Sequence, residues 1–190
     1  MMWKETTTQM ISLFHAMEVT DLHANLFHHD TGFQLWLDFA LEVRQKNSYL
    51  FLIGNGASSS MASHFATDIT KNGKIKTHVF TDSSLLSAVG NDYCFAELYS
   101  RPLQWYAEAE DLLIAISSSG NSENILQACR QARSRGLRIV TLSAMKADNQ
   151  LRKLGDINFY LAAPTYGLAE SCHAVILHHW MDMLEVSAHG

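Results

Sequence analysis

The chain has 190 residues, of which 47% are hydrophobic and 17% are charged, fractions typical of a folded globular protein and not of a disordered one. Fourteen basic residues against nineteen acidic ones give a net charge of -5, and the basic residues form no stripe, so nucleic acid is excluded as the main ligand. No apolar run approaches the roughly 20 residues that span a bilayer, and the amino terminus lacks the pattern of a signal peptide, so we expect a cytoplasmic protein without membrane contact.

A chain of this length suits one domain, and we assign residues 1–190 to a single unit, with helices in 1–47 and an α/β core in 48–190. Apolar side chains recur at helical spacing over 10–17 and again over 33–44, which predicts two helices before the core and no strand. These helices could pack on the sheet or pair with another subunit, and the pattern leaves both open. The three cysteines contain no CxxC pair, and we interpret all of them as small packing residues.

From residue 49 onward, short apolar runs alternate with helical stretches, which predicts a parallel sheet with helices on both faces. The fold class is therefore α/β, a three-layer sandwich with a five-stranded parallel sheet of the Rossmann-like type and an N-terminal helical extension. The predicted strands are 49–53, 77–80, 112–116, 138–142 and 157–161. The predicted helices are 59–72, 95–108, 122–135 and 168–185, with 149–154 as a further candidate. Ser122 is expected to cap the helix that begins there.

Two loops rich in serine and glycine follow predicted strands and lead directly into helices. The first is GNGASSS at 54–60, and the second is SSSGNS at 117–122. Glycine lets the backbone approach an oxyanion, while hydroxyls and the free amides of a helix N-terminus donate hydrogen bonds to it. Either loop alone could be a turn before a capped helix, but two such loops on alternate strands predict a phosphate site at the ligand-binding edge of the sheet.

A dinucleotide site is the rival interpretation, because Gly54 and Gly56 follow one strand and Asp82 follows the next. The third glycine of that fingerprint is missing, since Ser59 stands in its place, and a nicotinamide site has no use for a second serine loop. We therefore expect no nucleotide cofactor.

The stretches LIGNGAS at 52–58 and AISSSGNS at 115–122 resemble the SIS (sugar isomerase) family, whose members bind phosphosugars with these two loops. SHFA at 63–66 with Asp68, VGND at 89–92, and a last helix with Glu170, His173 and His178 are similar to its phosphoheptose isomerase branch. The resemblance implies the SIS fold and an aldose–ketose isomerase, converting sedoheptulose 7-phosphate to D-glycero-D-manno-heptose 7-phosphate for lipopolysaccharide assembly. It also implies a homotetramer with sites at subunit contacts.

Residue by residue, the resemblance implies Asp68 as the base that removes a carbon-bound proton and His178 as its partner acid. The implied contacts to the phosphate and the sugar are Asn55, Gly56, Ser58, Asp92, Ser117, Ser118, Ser119, Ser122 and Glu170. The implied metal is zinc, on His64, Asp68, Glu170 and His178.

The chain departs from the family pattern at three of these places. Asp68 stands where the family has glutamate, and a carboxylate misplaced by about 1 Å can cost ~100-fold in rate. Glu170 stands where an amide is usual, a change that would strengthen metal binding or shift neighbouring acid–base groups. Gly167 stands where the family tends to carry an acidic sugar contact, which leaves the substrate sugar open.

The types and spacing of the residues suggest an isomerase reaction even without the family resemblance. Moving a carbonyl between two sugar carbons requires a base and an acid–base partner, and a carboxylate with an imidazole suffices. His64 and Asp68 lie four apart on one helix face, a spacing that surface pairs also use. Positions 170 and 178 are displaced by about 80° and about 12 Å on an ideal helix, so sharing a metal needs long side chains or an irregular helix. A metal-assisted reaction and a bare acid–base pair both remain open.

A second hypothesis is a non-catalytic member of the same fold, similar to replication-initiation regulators that bind a partner protein. Such proteins lose acid–base residues, and Asp68 is a step in that direction, whereas His178 favours the isomerase. Both hypotheses predict an oligomer, because the apolar N-terminal helices and the tryptophan-bearing last helix exceed what one small sheet needs to cover it.

Overall fold

A computed structural model describes residues 2–189, with side chains through residue 187. Its strands are β1 (Glu18–Thr20), β2 (Leu26–Phe27), β3 (Tyr49–Gly54), β4 (Lys76–Val79), β5 (Leu112–Ser117), β6 (Arg138–Ala144) and β7 (Ile157–Leu161). Its helices are α1 (Trp3–His15), α2 (His29–Lys46), α3 (Ala57–Lys71), α4 (Ser83–Asp92), α5 (Ser100–Tyr106), α6 (Glu123–Ser134) and α7 (Tyr166–His189), with 3-10 turns at Phe95–Glu97 and Gln150–Lys153.

The strands form one sheet in the order β2-β1-β7-β6-β5-β3-β4. The five strands from β3 to β7 are parallel, with Leu52 opposite Ile114 and Leu142 opposite Phe159. Every residue of β5 is buried, as expected for a strand that carries apolar side chains toward helices on both faces. The predicted α/β class and the five parallel strands are confirmed.

The prediction that residues 1–47 contain no strand is wrong. β1 pairs antiparallel with β7 and β2 pairs antiparallel with β1, which makes the sheet seven-stranded in the described residues. β1 has three residues and β2 has two, too few to show a period of two in the sequence. Their role is to cover the edge of β7, whose backbone groups would otherwise lack partners.

Two apolar layers sandwich the sheet. One layer joins α2, α3 and α7 to one face and contains Trp36 and Trp180, which stack with ring centroids 4.3 Å apart and planes 9° apart. The other layer joins α5 and α6 to the opposite face around Leu103 and Leu126. The second N-terminal helix, α2, therefore packs on the sheet, whereas in α1 only Leu13 is buried.

The region between β4 and β5 differs from its prediction. The helix expected over 95–108 is a 3-10 turn at Phe95–Glu97 followed by the short α5. α4 was not predicted, although Asp82 caps it by accepting hydrogen bonds from the backbone N–H groups of Ser84 and Leu85, at 2.9 and 3.0 Å. Those hydrogen bonds, that of Leu85 foremost, lower the pKa of Asp82. Asp82 is thus a capping residue and not a ribose contact.

The segment before β7 and the cysteines also differ from their predictions. The helix expected over 149–154 is the 3-10 turn Gln150–Lys153. Cys129 and Cys172 are buried, but Cys94 is exposed, so the interpretation of all three cysteines as packing residues is wrong for Cys94. No helix in the described part of the chain has the length and apolarity that a bilayer crossing needs.

Candidate functional site

The two serine loops meet in one cleft of about 280 Å³ at the carboxyl ends of β3 and β5. This edge of an open parallel sheet is where ligands bind, because the loops there leave the sheet toward helix N-termini. The lining residues are Asn55, Gly56, Ala57, Ser58, Ile116, Ser117, Ser118, Ser119, Ser122, Tyr166 and Glu170. The convergence of the loops, on which the phosphate-site hypothesis depends, is therefore present.

The first loop turns sharply from β3 into α3. Gly56 precedes the helix with φ of +55°, in the left-handed region that favours glycine, and its carbonyl accepts the backbone N–H groups of Ser59 and Ser60. Gly54 lies against the next helical turn, because a Cβ there would come within 2.6 Å of the Ser58 backbone. The tight turn places the buried Ser58 side chain beside the cleft.

Residues of the connection between β6 and β7 hold the second loop in place. Gly120 has φ of +62°, and a Cβ there would stand 2.1 Å from the side-chain oxygen of Asn149. Asn149 is buried and donates to the carbonyl of Lys146 at 2.8 Å, while the N–H of Leu151 donates to the carbonyl of Gly120 at 3.0 Å. These contacts fix the path of the loop over residues 117–122.

Two hydroxyls of the second loop, Ser122 and Ser118, take little part in the hydrogen bonding of the chain itself. Ser122 stands before α6, but its side chain makes no capping hydrogen bond, so that expectation is wrong; its hydroxyl oxygen lies 3.4 Å from the Ser117 hydroxyl. The Ser118 hydroxyl is buried and has no hydrogen-bond partner among the described residues. A buried polar atom without a partner costs about 1–3 kcal/mol, so a ligand oxygen that pairs with it would be stabilised there.

Three side chains that the sequence did not point to, Asn124, Tyr99 and Tyr166, lie at the loops. Asn55 and Asn124 exchange two amide hydrogen bonds, at 2.9 and 2.8 Å. The buried Tyr99 hydroxyl donates to the carbonyl of Gly54, and burial raises the pKa of this phenol. Tyr166 forms a wall of the cleft at the start of α7. The serine and glycine content of the loops gives no signal for Asn124, Tyr99 or Tyr166, because the roles of these residues depend on the packing of distant helices.

A second group of polar side chains lies farther along α3 and α7. The His64 Nε2 atom is 3.4 Å from an Asp68 carboxylate oxygen, and the His64 ring centroid is 5.9 Å from that of His178. His178 also packs edge-on against Phe65, with centroids 4.7 Å apart. The group is open to solvent, since His64 and His178 are both exposed. It brings one carboxylate and two imidazoles together outside the lining of the cleft.

The chain is similar in sequence to a known protein family and to several named enzymes. The SIS domain family matches residues 18–144, which is more than half of the chain. The chain belongs to the SIS domain family. The phosphoheptose isomerase of Coxiella burnetii (strain RSA 493 / Nine Mile phase I) is 33% identical over 140 residues, 70% of each chain. That of Campylobacter concisus (strain 13826) is 30% identical over 164 residues, covering 82% of this chain and 84% of the relative.

A solved structure agrees with this. The phosphoheptose isomerase GmhA of Neisseria gonorrhoeae superposes with a TM-score of 0.74 and 26% identity, covering 81% of this chain and 86% of that one. The resemblance to the phosphoheptose isomerase branch is thus confirmed, and the cleft between the serine loops is the SIS cleft of this chain.

Most of the predicted contact residues line the SIS cleft, and some do not. The lining includes Asn55, Gly56, Ser58, Ser117, Ser118, Ser119, Ser122 and Glu170. Asp92 lies outside it, exposed at the end of α4, where its carboxylate accepts a hydrogen bond from Asn91 at 2.9 Å. The contacts themselves stay predictions, because they require a bound sugar.

The four predicted zinc ligands do not form one site within a single chain. Glu170 lines the SIS cleft, whereas His64, Asp68 and His178 lie farther along their helices. Across the residues that the structure describes, no three His, Cys, Asp or Glu side chains are close enough to hold a metal ion. The set therefore does not fit a zinc ion in the isolated chain, and no step of the chemistry below depends on one.

His173 of α7 is buried, which the sequence did not predict. Its side chain is fully buried beside Ser143 of β6, and neither ring nitrogen has a partner among the described residues. Burial lowers the pKa of the ring to about 4, against a smaller opposing effect of the Ser143 backbone, so the ring is neutral at pH 7.

Proposed function

We propose that this protein is an aldose–ketose isomerase that converts sedoheptulose 7-phosphate to D-glycero-D-manno-heptose 7-phosphate. The observation that supports it most is the meeting of two hydroxyl-lined loops in one cleft, in a chain related to phosphoheptose isomerases. The cleft offers neutral hydrogen-bond donors at a helix N-terminus, which is suited to a phosphate group.

The position of the acid–base group suits a long sugar phosphate. In sedoheptulose 7-phosphate, the reacting carbons lie at the end opposite the phosphate, roughly 8 Å away in an extended chain. His64 follows Ser58 by six residues, about 9 Å along an ideal helix, and helical side chains tilt back toward the N-terminus. A substrate held by its phosphate would therefore extend along α3 toward His64, Asp68 and His178. A three-carbon sugar phosphate would not reach them.

The proposed reaction moves two protons. Asp68 takes the proton from C1 of the ketose as the electrons of the C1–H bond form the C1–C2 double bond, and the C2 carbonyl electrons move to O2, which takes a proton from His178 to give an enediol. In the second half, His178 takes the proton from O1 as the C1 carbonyl forms, and the electrons of the C1–C2 double bond take the proton that Asp68 returns to C2. His64, 3.4 Å from Asp68, orients the carboxylate. Because Asp68 is shorter than the usual glutamate, we expect a slow enzyme.

The experiment is turnover of sedoheptulose 7-phosphate by purified protein, followed by NMR of the heptose product in the presence and absence of added zinc. We expect turnover that Ser118→Ala reduces through substrate affinity and that Asp68→Asn or His178→Asn removes without loss of binding. Absence of turnover on any five- to seven-carbon ketose phosphate would contradict the proposal. Stable capture of a partner protein, unchanged in the Asp68→Asn/His178→Asn double variant, would instead favour the non-catalytic hypothesis.

Three further properties belong to this proposal. We propose a homotetramer, in which exposed apolar residues such as Trp3 and Phe95 become buried, and sedimentation at micromolar concentration tests it. We also propose a cytoplasmic location. Zinc on His64, Asp68, Glu170 and His178 stays a prediction, and metal analysis of the purified oligomer tests it.

A further inference from the structure

A second cavity, of about 200 Å³, lies at the end of β3 opposite to the SIS cleft. All four residues that line it carry aromatic rings: Tyr49, Phe51, His78 and Tyr106. Phe51 is 1% exposed, whereas Tyr49 and Tyr106 are 46% and 58% exposed, so the cavity has a buried floor and open walls. Drug-sized ligands occupy pockets of roughly 300–1,000 Å³, so this cavity, which we call the aromatic slot, has room for one ring system.

The rings of the aromatic slot are arranged to receive another ring. The planes of Tyr49 and Phe51 are 26° apart with centroids 6.0 Å apart, whereas His78 stands at 84° to Phe51 with centroids 6.3 Å apart. Aromatic pairs prefer offset-stacked or edge-to-face contacts, and a planar ligand in the slot can make both at once. The buried Phe80 ring packs 5.5 Å from Phe51 and 5.0 Å from His78, which holds those two rings in place.

The charge beside the aromatic slot is positive. The Lys76 ammonium lies 5.6 Å from the centroid of the Tyr49 ring and donates to the carbonyl of Asn47 at 3.2 Å, which keeps it close to the slot. Lys71 and Lys74 precede it, and the segment 71–80 contains neither Asp nor Glu. Aromatic rings alone also bind cations, but the ammonium of Lys76 repels a second cation and attracts an anion.

We infer that the aromatic slot is a binding site for aromatic carboxylates, small planar rings that carry one negative charge. The ring stacks in the slot, and the carboxylate pairs with Lys76, whose single positive charge matches it. The site shares no lining residue with the SIS cleft, so the inference stands apart from the proposed function. A second copy of the chain is a poorer occupant, because a two-fold contact here would bring two sets of these lysines together.

The experiment uses three indoles that share one ring and differ in the charge of the side chain. At pH 7, indole-3-acetate is negative, tryptophol is neutral and tryptamine is positive. Dissociation constants are measured by ligand-observed NMR titration of the full-length protein at low ionic strength. We expect indole-3-acetate to bind about two- to fivefold more tightly than tryptophol, and tryptamine to bind most weakly. The net charge of the chain, -5, would favour the reverse order if binding were non-specific.

Two pairs of variants separate the ring from the charge. Tyr106→Ser removes one wall and should weaken binding of all three indoles by about threefold or more, whereas Tyr106→Phe keeps the ring and the affinity. Lys76→Gln should bring indole-3-acetate to the dissociation constant of tryptophol and leave tryptophol unchanged. Lys153→Gln makes the same change of charge in the exposed 3-10 turn before β7 and should keep the wild-type ratio.

Other outcomes would overturn the inference. These are absence of binding by every indole, tightest binding by tryptamine, and unchanged binding in Tyr106→Ser. Loss of indole binding in Ser118→Ala would place the indoles in the SIS cleft instead. A Tyr106→Ser protein that sediments as a smaller species than the wild type would show that the slot is a contact between subunits. Because turnover is not measured, failure of the proposed isomerase activity leaves this test unaffected.

Discussion

Asn55 and Asn124 form a closed pair in which each side-chain amide donates to the carbonyl oxygen of the other, at 2.9 and 2.8 Å. Asn55 belongs to the first serine loop, and Asn124 lies on the first turn of α6, directly after the second loop. The Asn124 side chain is buried, and its carbonyl oxygen also accepts the backbone N–H of Ile125 at 3.1 Å. One pair of side chains thus sets the separation of the two loops, and with it the width of the cleft.

Replacing Asn124 by alanine should weaken phosphate binding more than it weakens the fold. The variant leaves the Asn55 amide unpaired and lets the loops separate, so we expect about a tenfold higher Kd for inorganic phosphate or sedoheptulose 7-phosphate. The free energy of unfolding should fall by about 1–3 kcal/mol. Calorimetry and urea denaturation measure the two effects.

Asn72→Ala is a suitable control for that substitution. Asn72 ends α3 far from the cleft, and its amide makes a long hydrogen bond of 3.4 Å to Glu185. We expect this variant to keep the wild-type Kd. An Asn124→Ala protein with unchanged phosphate affinity would show that the loops keep their spacing without the pair.

Gly120→Ala should destabilise the protein because this position has no room for a side chain. A non-glycine residue at φ of +62° costs roughly 1–2 kcal/mol, and the new Cβ would collide with Asn149, which is held by its own hydrogen bonds. We expect the free energy of unfolding, measured by heat or urea, to fall by about 2 kcal/mol or more, and phosphate binding to weaken.

Gly90→Ala should instead stabilise the protein. Gly90 lies on helix α4, and nothing lies within 4 Å of a Cβ placed there, so we expect the free energy of unfolding to rise by about 0.5–1 kcal/mol. Equal effects of the two substitutions would contradict this account.

The core of the fold could be predicted because its signals are local. β5 and β7 are buried on both faces, so most of their residues are apolar, and the predicted bounds of each of the five parallel strands lie within two residues of the observed ones. The serine loops were found for the same reason, since strand, turn and helix N-terminus are contiguous in the sequence. α4 has a local signal as well, the Asp82 cap, but an aspartate that follows a strand is also typical of a ribose contact.

The remaining features depend on contacts between distant segments. β1 is too short to show a period and exists because β7 offers it an edge. The pairing of Asn55 with Asn124, the contact of Tyr99 with Gly54 and the burial of His173 join residues between about 30 and 70 positions apart, and no sequence period reports them.

Thiol reactivity should distinguish Cys94 from the other two cysteines. Cys94 is exposed, whereas burial raises the pKa of Cys129 to about 12 and that of Cys172 to about 11, so neither buried thiol forms the reactive thiolate at neutral pH. In a native monomer we expect a thiol reagent to label one cysteine per chain rapidly, and three after unfolding. Mass spectrometry identifies the labelled residue. Rapid labelling of Cys129 in the native state would contradict the structure.

Acid should destabilise the protein through His173. Its folded-state pKa, about 4, lies below the usual value of 6.5 because the ring is fully buried. The stability of the neutral ring is fully present above pH 6.5, and as the pH falls from 6.5 toward 4 the unfolded chain gains a proton that the folded chain does not. We expect a loss of about 1.4 kcal/mol per pH unit, on the order of 3 kcal/mol in all. Urea unfolding of His173→Leu should lack this slope, whatever its stability at pH 7; a variant as acid-sensitive as the wild type would place the effect on other groups.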